Sequence, residues 1–350
     1  VWVSSLGLTN VRFGRFGLYV PAQHAWEVSS TRQEQAAITV FSQNIRSGLS
    51  KGVPLASVPD RAALKETGKT IGEKKPDVVV LNEVVRRPDL DVLGVLAKAA
   101  GMQLVWAPTL EITPDRSARR PRHVNGILQP ATPGWVQFGN ALLVPKNLRQ
   151  LDVAAAQLPS LGEYNPNNNP GLHEPRNIVV AAMEFSDGRR ARVAATHLSP
   201  LRADDDYLTT RRENEAQLRQ AFTNAFRLPT FVERSDAGPS QYTLDYPTIV
   251  AGDFNTRINE RTILFDGTPA EMAADAGFRW AVTGATHLRH GVTVDAQFFS
   301  PGGCADNSDL TVTECEVDKT MPIGDHAAIT QTYALSNEIV RQRPMAVTLS

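Results

Sequence analysis

Two cysteines in 350 residues, no apolar run of bilayer-spanning length and almost no net charge set the first limits on this chain. With only Cys304 and Cys315 available, a cysteine-built zinc site lacks ligands, and the nearest downstream histidine, His326, belongs to another motif. Thirty-six Lys and Arg against thirty-seven Asp and Glu leave a net charge of −1, so no global basic field points to nucleic acid; a local groove can still be basic. No segment reads as a transmembrane helix or a signal sequence, and no aromatic hairpin suited to a membrane surface stands out. What is present is ordinary for a globular protein: 42% hydrophobic and 21% charged residues, enough chain for one large domain or two. The opening at Val1, without methionine, is expected of a processed or trimmed product.

The two cysteines flank a polar loop, residues 305–314. A short-range disulfide closing it is the preferred reading over two free thiols, and it predicts a secreted or otherwise extracytoplasmic protein.

The most informative stretch is Tyr246 to Arg257. Thr248 to Ala251 are β-branched or apolar without polar alternation, as in a strand buried on both faces, and Gly252 then permits a tight turn. Asp253 and Asn255 follow two residues apart, so a carboxylate and a carboxamide can converge from a rigid strand end on one small ligand. A capped turn would use the same residue types, and other stretches must decide.

Those stretches follow the same rule, each placing polar residues at or after an apolar strand. In order they are Gln43-Asn44-Ile45, Pro76 to Val84 with Glu83, Gly139 to Val144, Thr196-His197-Leu198, Gly252 to Asn255, Val294 to Ser300 with Asp295, and Gly324-Asp325-His326. Their order and spacing across residues 37–335 resemble the endonuclease/exonuclease/phosphatase (deoxyribonuclease I-like) superfamily. The resemblance implies an α/β fold, a four-layer α/β/β/α sandwich of two mixed β-sheets flanked by helices. It divides the chain into an N-terminal extension packed on the core (1–36), the catalytic domain (37–335) and a C-terminal tail (336–350).

The resemblance also implies roles. Glu83 is the first metal ligand, with Asn44 and Asp325 beside it, since hard divalent ions prefer carboxylate oxygen and Mg²⁺ keeps waters free for a phosphate; Mn²⁺ and Ca²⁺ are the other candidates. Asp253 orients or deprotonates the attacking water. His197, Asn255 and His326 surround the phosphoryl oxygens, Arg176 reaches a substrate phosphate, and Asp295 holds His326. The carboxylate that would orient His197 is left between Glu111 and Glu174. Two departures from the family pattern stand out: Asn82 occupies a usual glutamine position, and Gly324 stands where many members have serine. Both changes are expected to be harmless.

Outside these motifs, Asp60 to Lys75 reads as a helix capped by Asp60, Leu90 to Ala100 as a second and Thr209 to Phe226 as a third. Residues 113–135 break every pattern, and Arg116, Arg119, Arg120, Arg122 and His123 crowd there. They either grip a polyanion such as nucleic acid or solubilise a loop. The expected activity is metal-dependent phosphodiester hydrolysis by an activated water, in a secreted nuclease-like enzyme. Hydrolysis of a lipid headgroup, an inositol phosphate or another small organophosphate is the alternative, and a non-catalytic binding protein on the same fold is the third reading.

Overall fold

The computed structural model describes residues 11–13, 16–18, 37–54, 57–115, 118–124, 127–161, 174–201, 207–229, 231–235, 238–242, 246–261, 267–281, 284–288, 290–300 and 311–334. Two compact units arise, Val1–Gln35 and Ala36–Ser350. In the first, β1 (Val11–Phe13) pairs antiparallel with β2 (Phe16–Leu18). The expected tail, 336–350, lies outside the described residues.

The second unit runs β3 (Ala37–Asn44), α1 (Arg61–Glu73), β4 (Val78–Arg86), α2 (Val92–Ala99), β5 (Gln103–Ile112), β6 (Arg119–Pro121), β7 (His123–Val124), β8 (Ile127–Leu128) and β9 (Val136–Val144). It continues with β10 (Gln150–Gln157), β11 (Asn177–Glu184), β12 (Arg190–His197), α3 (Tyr207–Arg227), β13 (Phe231–Ser235), β14 (Gly238–Tyr242) and β15 (Thr248–Asp253). Last come α4 (Pro269–Asp275), β16 (Arg279–Trp280), β17 (Asp295–Ser300), β18 (Thr311–Asp318) and β19 (Ala328–Ala334). One sheet has the order β18-β19-β3-β4-β9-β5-β6 and the other β10-β11-β12-β15-β17-β16; β7-β8 and β13-β14 form separate hairpins.

Both faces of the central strands are apolar, and the period-2 geometry of a strand assigns each side chain to one layer. Val78 and Val80 join Val179, Val193 and Ile249 in the core between the sheets. Their neighbours Val79 and Leu81 turn outward onto Leu64, Leu93 and Leu96 of α1 and α2. On the other sheet Ile178, Val180 and Val250 turn outward onto Leu218 and Phe222 of α3 and Met272 of α4. Helix, sheet, sheet and helix therefore stack in four layers, as expected. Each fully buried Val or Leu contributes about 1.5–3 kcal/mol.

Helix boundaries follow their caps. The Asp60 side chain accepts from the Ala62 amide at 2.8 Å, and α4 opens on a capping box between Thr268 and Glu271. Gly68 lets α1 approach α2: a Cβ there would lie 2.6 Å from Ala99 Cβ.

Strand direction brings the motifs to one edge of the sandwich. β3 and β4 are parallel, so Asn44 and Glu83 leave the first sheet together. β12 and β15 are parallel with His197 opposite Asp253, and antiparallel β17 begins with Asp295 opposite Asp253. His326 precedes β19, which runs antiparallel to β3 and so starts at that same edge.

Candidate active site

Glu83 lies within β4 rather than past its end. The ladder to β9 skips between Leu81 and Val84, and Glu83 takes φ +50 in that bulge. Asn255 also has positive φ, +52. Left-handed backbone at non-glycine residues is costly and clusters at sites where a side chain must be aimed. Gly252 answers a different constraint, since a Cβ on it would sit 1.9 Å from the Thr196 carbonyl oxygen. Only glycine lets β15 pass β12 so closely just before Asp253.

Asn44 donates through Nδ2 to Glu83 Oε1 (3.1 Å) and Asp253 Oδ2 (2.9 Å), while its Oδ1 accepts from the Arg46 amide (3.0 Å). It therefore tethers two carboxylates, and the Arg46 amide occupies one of the two lone pairs of its oxygen. Asp253 Oδ1 accepts from the Asn255 amide at 2.8 Å. Burial, with the charge of nearby Asp295, pushes the Asp253 carboxyl up to about 7. Burial also raises Glu83, against the opposing hydrogen bond from Asn44.

His326 Nδ1 meets Asp295 Oδ2 at 2.7 Å, so the expected pair is formed. Its Nε2 stands 3.9 Å from both Asp253 and Asp325. Burial alone would lower this histidine, but the charges of Asp295 and Asp253 outweigh it and hold it at about 10. His326 is consequently a cation at neutral pH. Asp325 faces Arg46, with Arg46 Nε at 3.4 Å.

Neither Glu111 nor Glu174 is the carboxylate beside His197; Asp253 and Glu83 approach its Nε2 at 3.7 and 3.9 Å. Arg176 lies at the other nitrogen, with its guanidinium 3.0 Å from His197 Nδ1, and Glu174 holds the guanidinium from behind at 3.4 Å. A guanidinium can only donate, so it meets His197 as a donor at Nδ1. Burial and the Arg176 charge push His197 well below the usual histidine range. Asn255 Nδ2, fixed by a 2.8 Å bond to the Leu198 carbonyl, also points at His197 Nε2 from 2.8 Å. A neutral imidazole accepts at only one nitrogen, so it satisfies one of the two donors, Arg176 or Asn255, that face it.

The arginine-rich stretch carries internal ion pairs. Arg122 and Arg120 both pair with Glu111, whose carboxylate is fully buried and also accepts from Thr132, and Arg119 pairs with Glu174. These guanidiniums are committed to internal counter-charges, and residues 119–121 are an edge strand. Arg116 lies outside the described residues. Gly324 is corrected: at φ +87, with a would-be Cβ 2.7 Å from the Asn44 carbonyl oxygen, it is not interchangeable with serine.

Several residues of the site escape sequence reading. Asn82 spans the two sheets, donating to Asn140 Oδ1 (2.9 Å) and the Thr196 carbonyl (2.8 Å) and accepting from the Asp253 amide (3.1 Å). His287 lays its ring on His326 at 4.6 Å, and the amide of neighbouring Leu288 donates to the Asp325 carbonyl at 3.1 Å. The available signal was that Thr286-His287-Leu288 repeats the tripeptide of Thr196-His197-Leu198.

As a place for a divalent cation the donor set fits. Ligand atoms of Glu83, His197 and Asp253 lie within 4.8 Å of one another, as do those of Asp253, Asp295 and His326. Glu83 and Asp253 are crowded carboxylates whose charge a hard cation would stabilise.

A constellation of carboxylates, carboxamides and two histidines at one edge of a double-sheet sandwich defines a class, that of phosphoester hydrolases. The chain belongs to the Endonuclease/Exonuclease/phosphatase family, whose sequence profile matches residues 41–326. Among solved structures it resembles an endonuclease/exonuclease/phosphatase from Beutenbergia cavernae, with TM-score 0.58 and 20% identity over 86% of this chain and 72% of that one. It also resembles one from Bacteroides vulgatus, with TM-score 0.52 and 14% identity over 86% of this chain and 100% of that one. At these identities the likeness is one of fold. No curated protein sequence matches the chain.

Proposed function

We propose that this chain is a divalent-metal-dependent phosphodiesterase that cleaves its substrate by direct attack of water. One observation carries the reading. Asp253, held between Asn44 and Asn255, shares a buried site with the His326 imidazolium, which Asp295 holds, and with His197, Asn255 and Arg176. Mg²⁺, or Mn²⁺ or Ca²⁺, would be held by Glu83 with Asp253, and by Asp325 if it leaves Arg46. When bound, such an ion polarises a phosphoryl oxygen and stabilises charge as it develops.

The chain's own residues supply the remainder. His197, Asn255 and Arg176 bind nonbridging oxygens and set the phosphorus in line. Asp253, raised by burial and the charge of Asp295 toward the range of a general base, takes a proton from the attacking water. A new P–O bond forms, the bond to the leaving oxygen breaks, and His326 Nε2 delivers the proton that oxygen needs while Asp295 holds the ring. His326 therefore enters as the acid, a change from its expected share in activating water.

Nucleic acid is one substrate class that fits. The internal pairing of Arg119, Arg120 and Arg122 favours the second reading, a compact phosphoester such as a lipid headgroup or an inositol phosphate. Hydrolysis of plasmid DNA, RNA, sphingomyelin and inositol polyphosphates, each with Mg²⁺ and with EDTA, tests both. Plasmid nicking supports the nuclease, cleavage of small or lipid esters alone supports the second reading, and cleavage of none overturns the proposal.

An extracytoplasmic location rests on the Cys304–Cys315 pair. Cys315 is described as an exposed free thiol, and Cys304 lies outside the described residues. Intact mass before and after alkylation without reductant tests that bond: two alkylated thiols would rule it out.

A further inference from the structure

Helix α3 turns an unusual face inward. Its C-terminal half buries Leu218 and Phe222, but one turn earlier it buries Glu213, Asn214 and Gln217. Buried carboxylates and carboxamides are expensive unless matched, so what they match is informative. Gln217 Oε1 accepts from the Ser199 amide (2.8 Å), and Glu213 Oε1 from the Ser199 hydroxyl (2.7 Å). Gln217 and Glu213 also reach back to Pro159 and Leu161, whereas Asn214 Nδ2 donates to the Ser199 carbonyl at 2.7 Å and the Phe254 carbonyl at 2.8 Å.

Those two carbonyls belong to the loops that carry the chemistry. Ser199 lies two residues after His197, and Phe254 sits between Asp253 and Asn255. The β12–β15 ladder closes with Leu198 N donating to the Asp253 carbonyl at 3.0 Å, after which the chains part. A primary amide has two N–H groups at a fixed angle, so one side chain can hold both carbonyls at one separation.

We propose that Asn214 is a positioning residue that sets the distance between His197 and the Asp253–Asn255 turn. It acts from behind the site, without touching substrate, and this inference rests on the phosphoesterase reading above. His197 and Asn255 must reach oxygens of the same phosphoryl group, so loss of the bridge misplaces one against the other, and a shift of about 1 Å lowers turnover about 100-fold.

The test compares N214L, which removes both bonds at similar volume, with N214D, and with Q217L, which removes the Gln217 bonds to Ser199 and Pro159 but leaves both Asn214 bonds in place. The carboxyl that N214D introduces is buried against two carbonyls, so it takes a proton and keeps one of the two bonds. With bis-p-nitrophenyl phosphate and Mg²⁺, kcat is expected to fall about 10- to 100-fold in N214L and less in N214D, with KM within about threefold of wild type. Q217L should stay within about threefold in both constants. The ¹H–¹⁵N imidazole spectrum, read without substrate, should show the His197 signals displaced in N214L and not in Q217L. Should N214L fail to fold, N214D against Q217L decides the matter by the same two readings. Equal losses in N214D and Q217L, or unchanged kcat and His197 signals in a folded Asn214 variant, would overturn the proposal. A wild type that hydrolyses nothing sinks the phosphoesterase reading instead, and the spectra still decide whether Asn214 sets His197.

Discussion

At the scale of single residues, the site is a balance of carboxylates against a few fixed cations, and that balance makes its pH response specific. Asp253 must be ionised to accept a proton, and His326 must hold its proton; without a cation, burial and the neighbouring charges set these groups at about 7 and about 10. A divalent cation beside them favours the carboxylate and disfavours the imidazolium, so kcat/KM is expected to rise as Asp253 ionises and fall as His326 deprotonates, with both limbs below those metal-free values. His326→Ala removes the acid and Asp253→Asn the base, and each should lower kcat by about 10²–10⁴ while leaving the circular dichroism spectrum native. Wild-type turnover in either variant would contradict these roles. Gly324→Ser places a side chain on left-handed backbone against the Asn44 carbonyl, and a loss of about 1–3 kcal/mol in urea unfolding is expected.

Glu111 links residue chemistry to stability. Burial alone would raise its carboxyl, but bonds from Thr132, Arg120 and Arg122 outweigh that and hold it below its ordinary 4.5. A folded value below the unfolded one means the stabilisation is complete above about pH 4.5 and is lost as pH falls through the lower folded value. Glu111→Gln leaves buried Arg122 without its counter-charge and should cost about 3–5 kcal/mol at about pH 7, with the difference from wild type shrinking toward about pH 3 in parallel urea titrations.

At the scale of elements, what could be read in the sequence was whatever local chemistry decides. The near-continuous apolar runs of β3, β4 and β15 announced strands buried on both faces, and Asp60 announced the start of α1. β18 stayed hidden because Thr311–Asp318 is a largely exposed edge strand with little apolar burial to mark it. β10 alternates half-buried and exposed positions in a small-residue stretch, and α4 is only seven residues long. Of the site, side chains at strand ends were legible: Glu83, His197, Asp253, Asn255, Asp295 and His326 all lie together. Their partners were not. Arg176 beside His197, Glu111 beneath two arginines, and Asn82 across the sheets are pairings between distant segments, which no local spacing encodes. Asn82 shows what such a pairing is worth. Asn82→Leu leaves the Thr196 carbonyl and the Asp253 amide without this partner inside the sandwich, each costing about 1–3 kcal/mol, and the thermal midpoint should drop by several degrees.

For the whole molecule, two sheets deliver the separated motifs to one edge because β3, β12 and β15 end there, β4 bulges there at Glu83, and β17 and β19 begin there. The chain carries almost no net charge, and Arg119 and Arg122 are paired with internal acids. The most direct test of this account is the rate of bis-p-nitrophenyl phosphate hydrolysis by the purified chain with Mg²⁺ or Mn²⁺, with EDTA, and with metal restored. Hydrolysis that EDTA abolishes and added cation recovers is the predicted result. Equal hydrolysis in EDTA, or none under any of the three conditions, would contradict a metal-dependent phosphoesterase.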